Sequence, residues 1–229
     1  MLSDTPHRSD LLLLINPNSN TDTTSMMQTL AQEYFRKDSL RVVGITTVAT
    51  PSMITDSTAL KESVGPVLDA VRGYLAGSQG NEVAAVIIGA MGDPGRAELV
   101  TELRIPVIGI GQAAILTAAS NDRPFAMATS TPELVSSLTG LVESHGCAEH
   151  FIGVELTSSS PLELAADPEA QFVQLRDATR RGLGHGARAV IIAGGPLADT
   201  ARRIAQSEDI EVIEPISSAC QMVMRALGL

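Results

Sequence analysis

The sequence predicts an α/β fold of two similar lobes, each a parallel sheet of βα units, related by pseudo-two-fold symmetry and separated by a cleft. Short apolar runs alternate with helical segments along the chain, and four strand-and-turn segments of the first half recur in the same order in the second. Uninterrupted apolar runs are typical of parallel strands covered on both faces, and alternating strands and helices form such sheets. The ordered recurrence indicates an internal duplication.

In the first half, each predicted strand ends in a turn that leads into a helix. Strands are predicted at residues 11–15, 41–48, 86–88 and 105–110. Helices are predicted at 26–34, 57–75, 96–103 and 112–120, and the second of these has apolar residues at helical spacing from Leu60 to Leu75. The strand at 86–88 runs into the small residues Gly89 and Ala90, so its turn is a candidate loop at a functional site.

The second half repeats this pattern. Strands at 125–128, 151–156, 189–192 and 210–215 correspond to the four of the first half, with helices at 133–143 and, last, at 216–229. The turn that begins at Ala193 and Gly194 corresponds to the turn after 86–88. We therefore assign residues 1–120 and 213–229 to a first lobe with a C-terminal helix, and residues 121–212 to a second lobe.

The composition is that of a folded globular protein and argues against several classes of function. Hydrophobic residues make up 44% of the 229 residues, and the formal net charge of -10 disfavours nucleic acid as a partner. The apolar runs are far shorter than the roughly 20 residues of a membrane helix. Residues 1–10 lack a signal-peptide core, so a short disordered lead-in and a cytoplasmic location are expected. Cys147 and Cys220 lack metal-binding or redox spacing, so no metal is expected.

The loops at the carboxyl ends of the strands are expected to line the cleft between the lobes. In parallel sheets the ligand site lies at this edge, which here comprises residues 16–20, 47–52, 90–93, 129–131 and 194–196. Their amides, hydroxyls and backbone N–H groups suit a small carboxylate or a ureide. The predicted substrate-binding residues are Asn16, Pro17, Thr47, Ala90, Met91, Gly92, Thr129, Ser130, Gly194 and Gly195.

Three motifs, taken in order, carry a resemblance to a known family. They are the segment 14–20 with Thr23 and Thr24, the segment 92–95 followed by 105–110, and the last helix. With them the chain resembles the aspartate/glutamate/hydantoin racemase superfamily, most closely its hydantoin and allantoin racemase branch. The resemblance implies a two-lobed α/β fold, no cofactor and a homo-oligomer. It also implies one cysteine from each lobe beside the substrate carbon, where one thiolate takes the α-proton and the opposite thiol returns one.

The two positions that this pattern assigns to cysteine are occupied by Ala90 and Gly194. Cys147 precedes a predicted strand and Cys220 lies in the last helix, so neither replaces the missing thiols, and both are expected to be small buried residues. Removal of an α-proton requires a base within hydrogen-bond reach, which alanine and glycine cannot provide. Racemisation by two thiols is therefore not predicted, and the catalytic residues stay unidentified.

The other titratable residues are weaker candidates. Asp93 lies in the first of these loops, but its position predicts a cap for the following helix, and Asp199 and Asp56 have the same ambiguity. The histidines lie before or beside predicted strands or in the N-terminal segment, and none is expected to be catalytic: His7, His145, His150 and His185.

Three interpretations compete. The first is a racemase-superfamily enzyme with altered chemistry, such as decarboxylation, isomerisation or hydrolysis of a small carboxylate or cyclic ureide, that uses oxyanion donors at Thr129, Ser130 and the two glycine-rich turns. The second is a non-catalytic binding protein, which the lack of an evident acid/base pair favours. The third is a true racemase whose thiols were removed. We favour the first.

Overall fold

The computed structural model describes residues 10–35, 40–207 and 210–229 and contains two four-stranded parallel sheets. The strands of the first sheet are β1 (Leu11–Asn16), β2 (Arg41–Thr46), β3 (Val83–Ile88) and β4 (Val107–Gly109). Those of the second are β5 (Phe125–Thr129), β6 (Phe151–Leu156), β7 (Ala189–Ile192) and β8 (Val212–Ile213). The spatial orders, β2-β1-β3-β4 and β6-β5-β7-β8, are the same. The predicted fold of two duplicated α/β lobes is thus confirmed.

Helices connect the strands and cover both faces of each sheet. In the first half they are α1 (Thr21–Tyr34), α2 (Ser57–Glu62), α3 (Val64–Leu75), α4 (Arg96–Glu102) and α5 (Ile110–Ala118). In the second half they are α6 (Val135–Ser144), α7 (Pro161–Ala166), α8 (Pro168–Gly184), α9 (Ala198–Ser207) and α10 (Pro215–Leu227). Within the part of the chain that the structure describes, no helix is long and apolar enough to cross a membrane.

The single helix predicted over residues 57–75 is wrong, because the structure has two helices that meet at Ser63. Pro66 has no N–H to donate to the carbonyl of Glu62, so the hydrogen-bond ladder of one continuous helix cannot pass this point. The first helix also begins earlier than predicted, at Thr21, because the Asn20 side chain caps it. The predicted lead-in, with His7, lies outside the described residues except for Asp10.

Three apolar clusters account for the strand sequences. Leu12 and Leu14 of β1 point into a central cluster that also includes Phe125 and Met127 of β5, so one core joins the two lobes. The alternate residues of β1 face a second cluster under α3 and α4, and the outer face of the second sheet packs against α8 and α9. Because both faces of each sheet are covered, every residue of β1, β3, β5 and β7 is buried.

The last helix crosses from one lobe to the other. α10 follows β8 of the second sheet but packs against α1 and α5, which belong to the first lobe. The lobe boundaries at 120/121 and 212/213 stay a prediction, since the shared central core continues across them.

Candidate functional site

The carboxyl ends of the two sheets meet around a cavity of about 500 Å³. Gly89 N donates to Ile15 O and Ala193 N donates to Ala128 O, both at 2.8 Å, so the residues after Gly89 and Ala193 hold equivalent places in the two sheets. These next residues are Ala90 and Gly194, and both line the cavity. The loops that the sequence paired by similarity therefore enclose one space.

The two lobes touch at the base of this cavity. A Cβ atom on Gly195 would lie 2.7 Å from the carbonyl oxygen of Gly89, closer than real Cβ atoms approach backbone. Glycine at 195 therefore allows the backbone of the second lobe to rest on the end of β3. Seven predicted substrate-binding residues line the cavity around this contact: Ala90, Met91, Gly92, Thr129, Ser130, Gly194 and Gly195.

The three other predicted substrate-binding residues, Asn16, Pro17 and Thr47, do not line the cavity. Asn16 is fully buried, and its Nδ2 donates to Asn18 Oδ1 and Asn20 O at 2.9 Å and to Thr24 Oγ1 at 3.0 Å. Pro17 and Thr47 are also buried. The polar side chains of Asn16, at the end of β1, and of Thr47, just after β2, thus hold their own loops in shape. The loop at 47–52 does not line the cavity, but the two residues that follow it, Met53 and Ile54, do.

Asn18 is a polar residue of the cavity wall that the sequence did not single out. Its Oδ1 accepts from Asn16 Nδ2 and from Asn20 N, both at 2.9 Å. Its Nδ2 has no acceptor among the described residues, although Asn18 is only 5% exposed and lines the cavity. The Asn16 network therefore orients a free amide N–H donor toward the space where a ligand would lie.

Backbone donors add to this amide. Within the described ranges, the N–H groups of Ala90, Gly92, Ser130 and Gly195 find no hydrogen-bond acceptor, and all four residues line the cavity. They come from both lobes and follow β3, β5 and β7. Such groups at the ends of parallel strands can hold a carboxylate or stabilise a developing oxyanion.

The space beside Gly194 is occupied. A Cβ atom at this position would lie 2.9 Å from both Cγ and Cδ1 of Leu197, whose side chain is buried in the apolar cluster of the second lobe. The small residue at 194 therefore leaves no extra space on this side of the cavity. A longer side chain there requires Leu197 to move.

Asp93 is enclosed away from the cavity, which it does not line. Its Oδ1 accepts from Gly111 N at 2.8 Å and its Oδ2 from Gln112 N at 2.6 Å, at the start of α5. The helix that it caps is thus α5 and not the following helix, α4, as the sequence predicted. Burial raises the pKa of Asp93 to about 7, against the effect of these hydrogen bonds and of the Arg96 charge.

The two other carboxylates considered from the sequence differ in position. Asp56 caps α2, where its Oδ1 accepts from Thr58 N and Ala59 N at 2.9 Å. Asp199 lies in the first turn of α9 and lines the cavity. Of these two, only Asp199 can contact a ligand in the cavity.

The cysteines and the described histidines lie outside the cavity wall. Cys220 is fully buried in α10, and burial raises the pKa of its thiol to about 12. Cys147 precedes β6 and is also buried. Burial and the Arg96 charge lower the pKa of His145, while His150 and His185 lie beside surface carboxylates. Neither thiol can serve as a base for a ligand in the cavity.

The cavity wall contains both charged and apolar side chains. Among the described residues, the charged side chains on the wall are Asp22, Asp199 and Arg203. An apolar region is formed by Met53, Ile54, Leu60, Leu134, Leu138 and Leu164. Arg203, Gln171 and Thr200 were missed from the sequence because they lie in helices beyond the strand ends. No group of three or more potential metal ligands is present among the described residues.

The facing strand ends of two duplicated parallel sheets, with a cavity between them lined by amides and backbone donors, define a two-lobed α/β protein. The model of the Asp/Glu/hydantoin racemase family matches residues 12–223, so the chain belongs to this family. This confirms the resemblance drawn from the sequence.

Individual relatives agree with this assignment. A hydantoin racemase of Rhizobium meliloti is 29% identical over 219 residues, which cover 94% of this chain and 88% of that protein. Allantoin racemase from Klebsiella pneumoniae superposes with a TM-score of 0.86 at 23% identity and covers 96% of this chain and 89% of its own. Allantoin racemase from Pseudomonas fluorescens gives a TM-score of 0.85 at 22% identity, with 96% and 92% covered. The two structures share the fold of this chain.

Proposed function

We propose that the protein is an enzyme that acts on a small carboxylate or a cyclic, hydantoin-like ureide in the cleft between the lobes, by chemistry other than two-thiol racemisation. Its ligand is a small molecule, not nucleic acid or a membrane surface. The enzyme uses no cofactor and forms a homo-oligomer, as the family resemblance implies.

The observation that carries the proposal is the pair Ala90 and Gly194. They occupy equivalent positions after β3 and β7 and face the same cavity, but neither side chain can exchange a proton. The chain's cysteines, Cys147 and Cys220, lie elsewhere. A substrate carbon between the two loops would therefore meet backbone donors without a thiol on either side.

The remaining groups suit a reaction that develops negative charge on oxygen. The amide of Asn18 and the free N–H groups of Ser130 and Gly195 can stabilise an enolate or a tetrahedral oxyanion. Decarboxylation, isomerisation and hydrolysis all pass through such charge. In each case water, or a carboxylate at the rim such as Asp199, replaces the thiol as the proton carrier.

A second candidate function is binding without catalysis. One observation favours it: among the described residues of the cavity wall there is no cysteine, histidine or lysine. A carrier or sensor needs only the donors and the apolar region described above.

Turnover measured beside ligand binding distinguishes the two. We expect at least one compound from a panel of substituted malonates and 5-substituted hydantoins to raise the melting temperature and to be converted, as followed by NMR. Ala90→Phe should abolish both effects by filling the cavity. Ala97→Phe, at an exposed position of α4, should retain them. Binding without conversion by the wild-type protein would favour the carrier.

Restoring both thiols tests the ligand class. Ala90→Cys with Gly194→Cys and Leu197→Ala, the last to clear the space beside residue 194, should exchange the C5 proton of a 5-substituted hydantoin with solvent deuterium above the spontaneous rate. Leu197→Ala alone is the matched control and should show no such gain. A folded triple variant without exchange would remove hydantoins from the proposal.

A further inference from the structure

A polar corner of the cavity is formed by two helices of the second lobe. α9 contributes Asp199, Thr200 and Arg203 to the wall, and α8 contributes Gln171. Thr200 Oγ1 donates to Gln171 Oε1 at 2.5 Å, and Gln171 Nε2 donates to the carbonyl of Leu164 at 3.3 Å. The first bond connects α9 to α8, and the second connects α8 to α7. Together they fix the positions of the helices that form this corner.

Arg203 is held in this corner with most of its donors free. Its guanidinium carbon lies 4.5 Å from the centre of the Phe172 ring, which fixes the plane of the group. Its Nη2 donates to Glu169 Oε2 at 2.9 Å, and none of its other N–H groups has an acceptor among the described residues. The Glu169 side chain is 72% exposed, so this ion pair is weak and can be shared or replaced.

Arg203 is a positive charge in a cavity whose other charged side chains, among the described residues, are negative. Arg203 is the one cationic side chain that the described residues place on the wall. The other two charged side chains of this described part of the wall, Asp22 and Asp199, are acidic. The whole chain carries a formal charge of -10. An anionic ligand that enters this cavity is therefore attracted by the Arg203 guanidinium and repelled by Asp22 and by Asp199, which lies in the same corner.

We propose that Arg203 is a positioning residue that binds a carboxylate of the substrate, so that the substrate is an acid with its carboxylate at the α8–α9 corner and its reacting carbon between Ala90 and Gly194. This role of Arg203 rests on the function proposed above. It limits the expected substrates to carboxylic acids and to ureides that carry a carboxylate. A planar guanidinium supported on a ring presents parallel N–H donors that match the two oxygens of a carboxylate.

The test compares two probes that differ in one charge. Hydantoin-5-acetate and 5-ethylhydantoin are titrated into the full chain by calorimetry. Wild-type protein is expected to bind the acetate at least about tenfold more tightly than the neutral probe, because a carboxylate accepts charge-assisted hydrogen bonds from Arg203 that an ethyl group cannot accept. Arg203→Met should abolish this preference but leave the affinity for 5-ethylhydantoin within about twofold.

Arg176→Met is the matched control. Arg176 lies 5.7 Å from the centre of the same Phe172 ring but does not line the cavity, so its loss disturbs the packing without removing the cavity cation. It should keep the wild-type preference, and Arg203→Lys should restore part of it. A purely structural role of Arg203 would weaken both probes equally.

The outcomes separate this assignment from the proposed function. If wild-type protein binds both probes equally, or if Arg203→Met keeps the preference, Arg203 does not bind the carboxylate, while the proposed ligand class stands. If wild-type protein binds neither probe, hydantoin-like ligands are removed from the proposed function, and if it also binds no substituted malonate the assignment of Arg203 fails with it.

Discussion

The loop after β3 and the loop after β7 hold equivalent places in the two sheets but are fixed by opposite kinds of side chain. Three residues after Ala90, the carboxylate of Asp93 is buried and accepts two backbone N–H groups from α5. Three residues after Gly194, Leu197 packs into the apolar cluster of the second lobe. One loop is held by a polar contact and the other by apolar packing.

The difference shows how a duplicated fold divides its tasks. In the first lobe the acidic residue of the loop serves the structure, because it is turned away from the cavity and toward α5. In the second lobe apolar packing fixes the loop, and the charged residues Asp199 and Arg203 of the following helix are free to face the cavity. We infer that both lobes contribute backbone donors, whereas the cation that the described residues place on the wall, Arg203, comes from the second lobe.

The largest expected effect comes from replacing Asp93 with the residue type of the second loop. Asp93→Leu leaves the N–H groups of Gly111 and Gln112 buried without an acceptor and should lower the free energy of unfolding by about 3 kcal/mol, measured by urea denaturation.

Asp56→Ala is the control for Asp93→Leu, because Asp56 also accepts two backbone N–H groups at a helix start but is only half-buried. We expect it to cost about 1 kcal/mol. Equal losses in the two variants would show that burial does not strengthen the contact made by Asp93.

A smaller effect is expected at Gly195, whose equivalent in the first loop is Met91. Gly195→Ala places a Cβ atom 2.7 Å from Gly89 O and should cost about 1–3 kcal/mol, because the lobes must separate slightly at the base of the cavity. Gly73→Ala, within α3 with no atom inside 4 Å of the added Cβ, should instead stabilise by about 0.5–1 kcal/mol. A neutral Gly195→Ala would mean that the lobe contact adjusts freely.

The fold could be predicted because buried parallel strands have a distinctive sequence. Each strand is a short apolar run that ends at a turn, and the runs recur in order, so the sheets and their relation follow. The break at Ser63 was missed because the apolar spacing continues across it, although Pro66 was a usable signal.

The site could be predicted only in part. The loops that follow β3, β5 and β7 line the cavity because strand ends fix their positions, and their role in binding stays a prediction. Asn16 and Thr47 were misplaced because nothing in the sequence tells whether a polar side chain after a strand faces the ligand or bonds to its own loop. Arg203 was missed because it lies more than one turn into a helix, and an Arg there is usually on the solvent face.

The pH dependence of stability also distinguishes the two loops, because Asp93 titrates and Leu197 does not. Burial, opposed by the hydrogen bonds from Gln112 and Gly111 and by the Arg96 charge, raises the pKa of Asp93 from 3.8 to about 7. Between these values the folded chain holds a proton that the unfolded chain has lost. The contribution of Asp93 to stability is therefore full below about pH 4 and falls as the pH rises toward 7, by at most about 1.4 kcal/mol per pH unit.

Asp93→Asn removes this titration, so the free energy of unfolding of the wild-type protein minus that of the variant should decrease from pH 4.5 to pH 7. Urea denaturation at four pH values measures the difference, and Asp199→Asn, at an exposed site, should leave the wild-type slope unchanged. A difference that does not fall over this range would mean that the two N–H groups of α5 stabilise the carboxylate at least as much as burial destabilises it. In that case the first loop is held by an ionised carboxylate from pH 4.5 to pH 7.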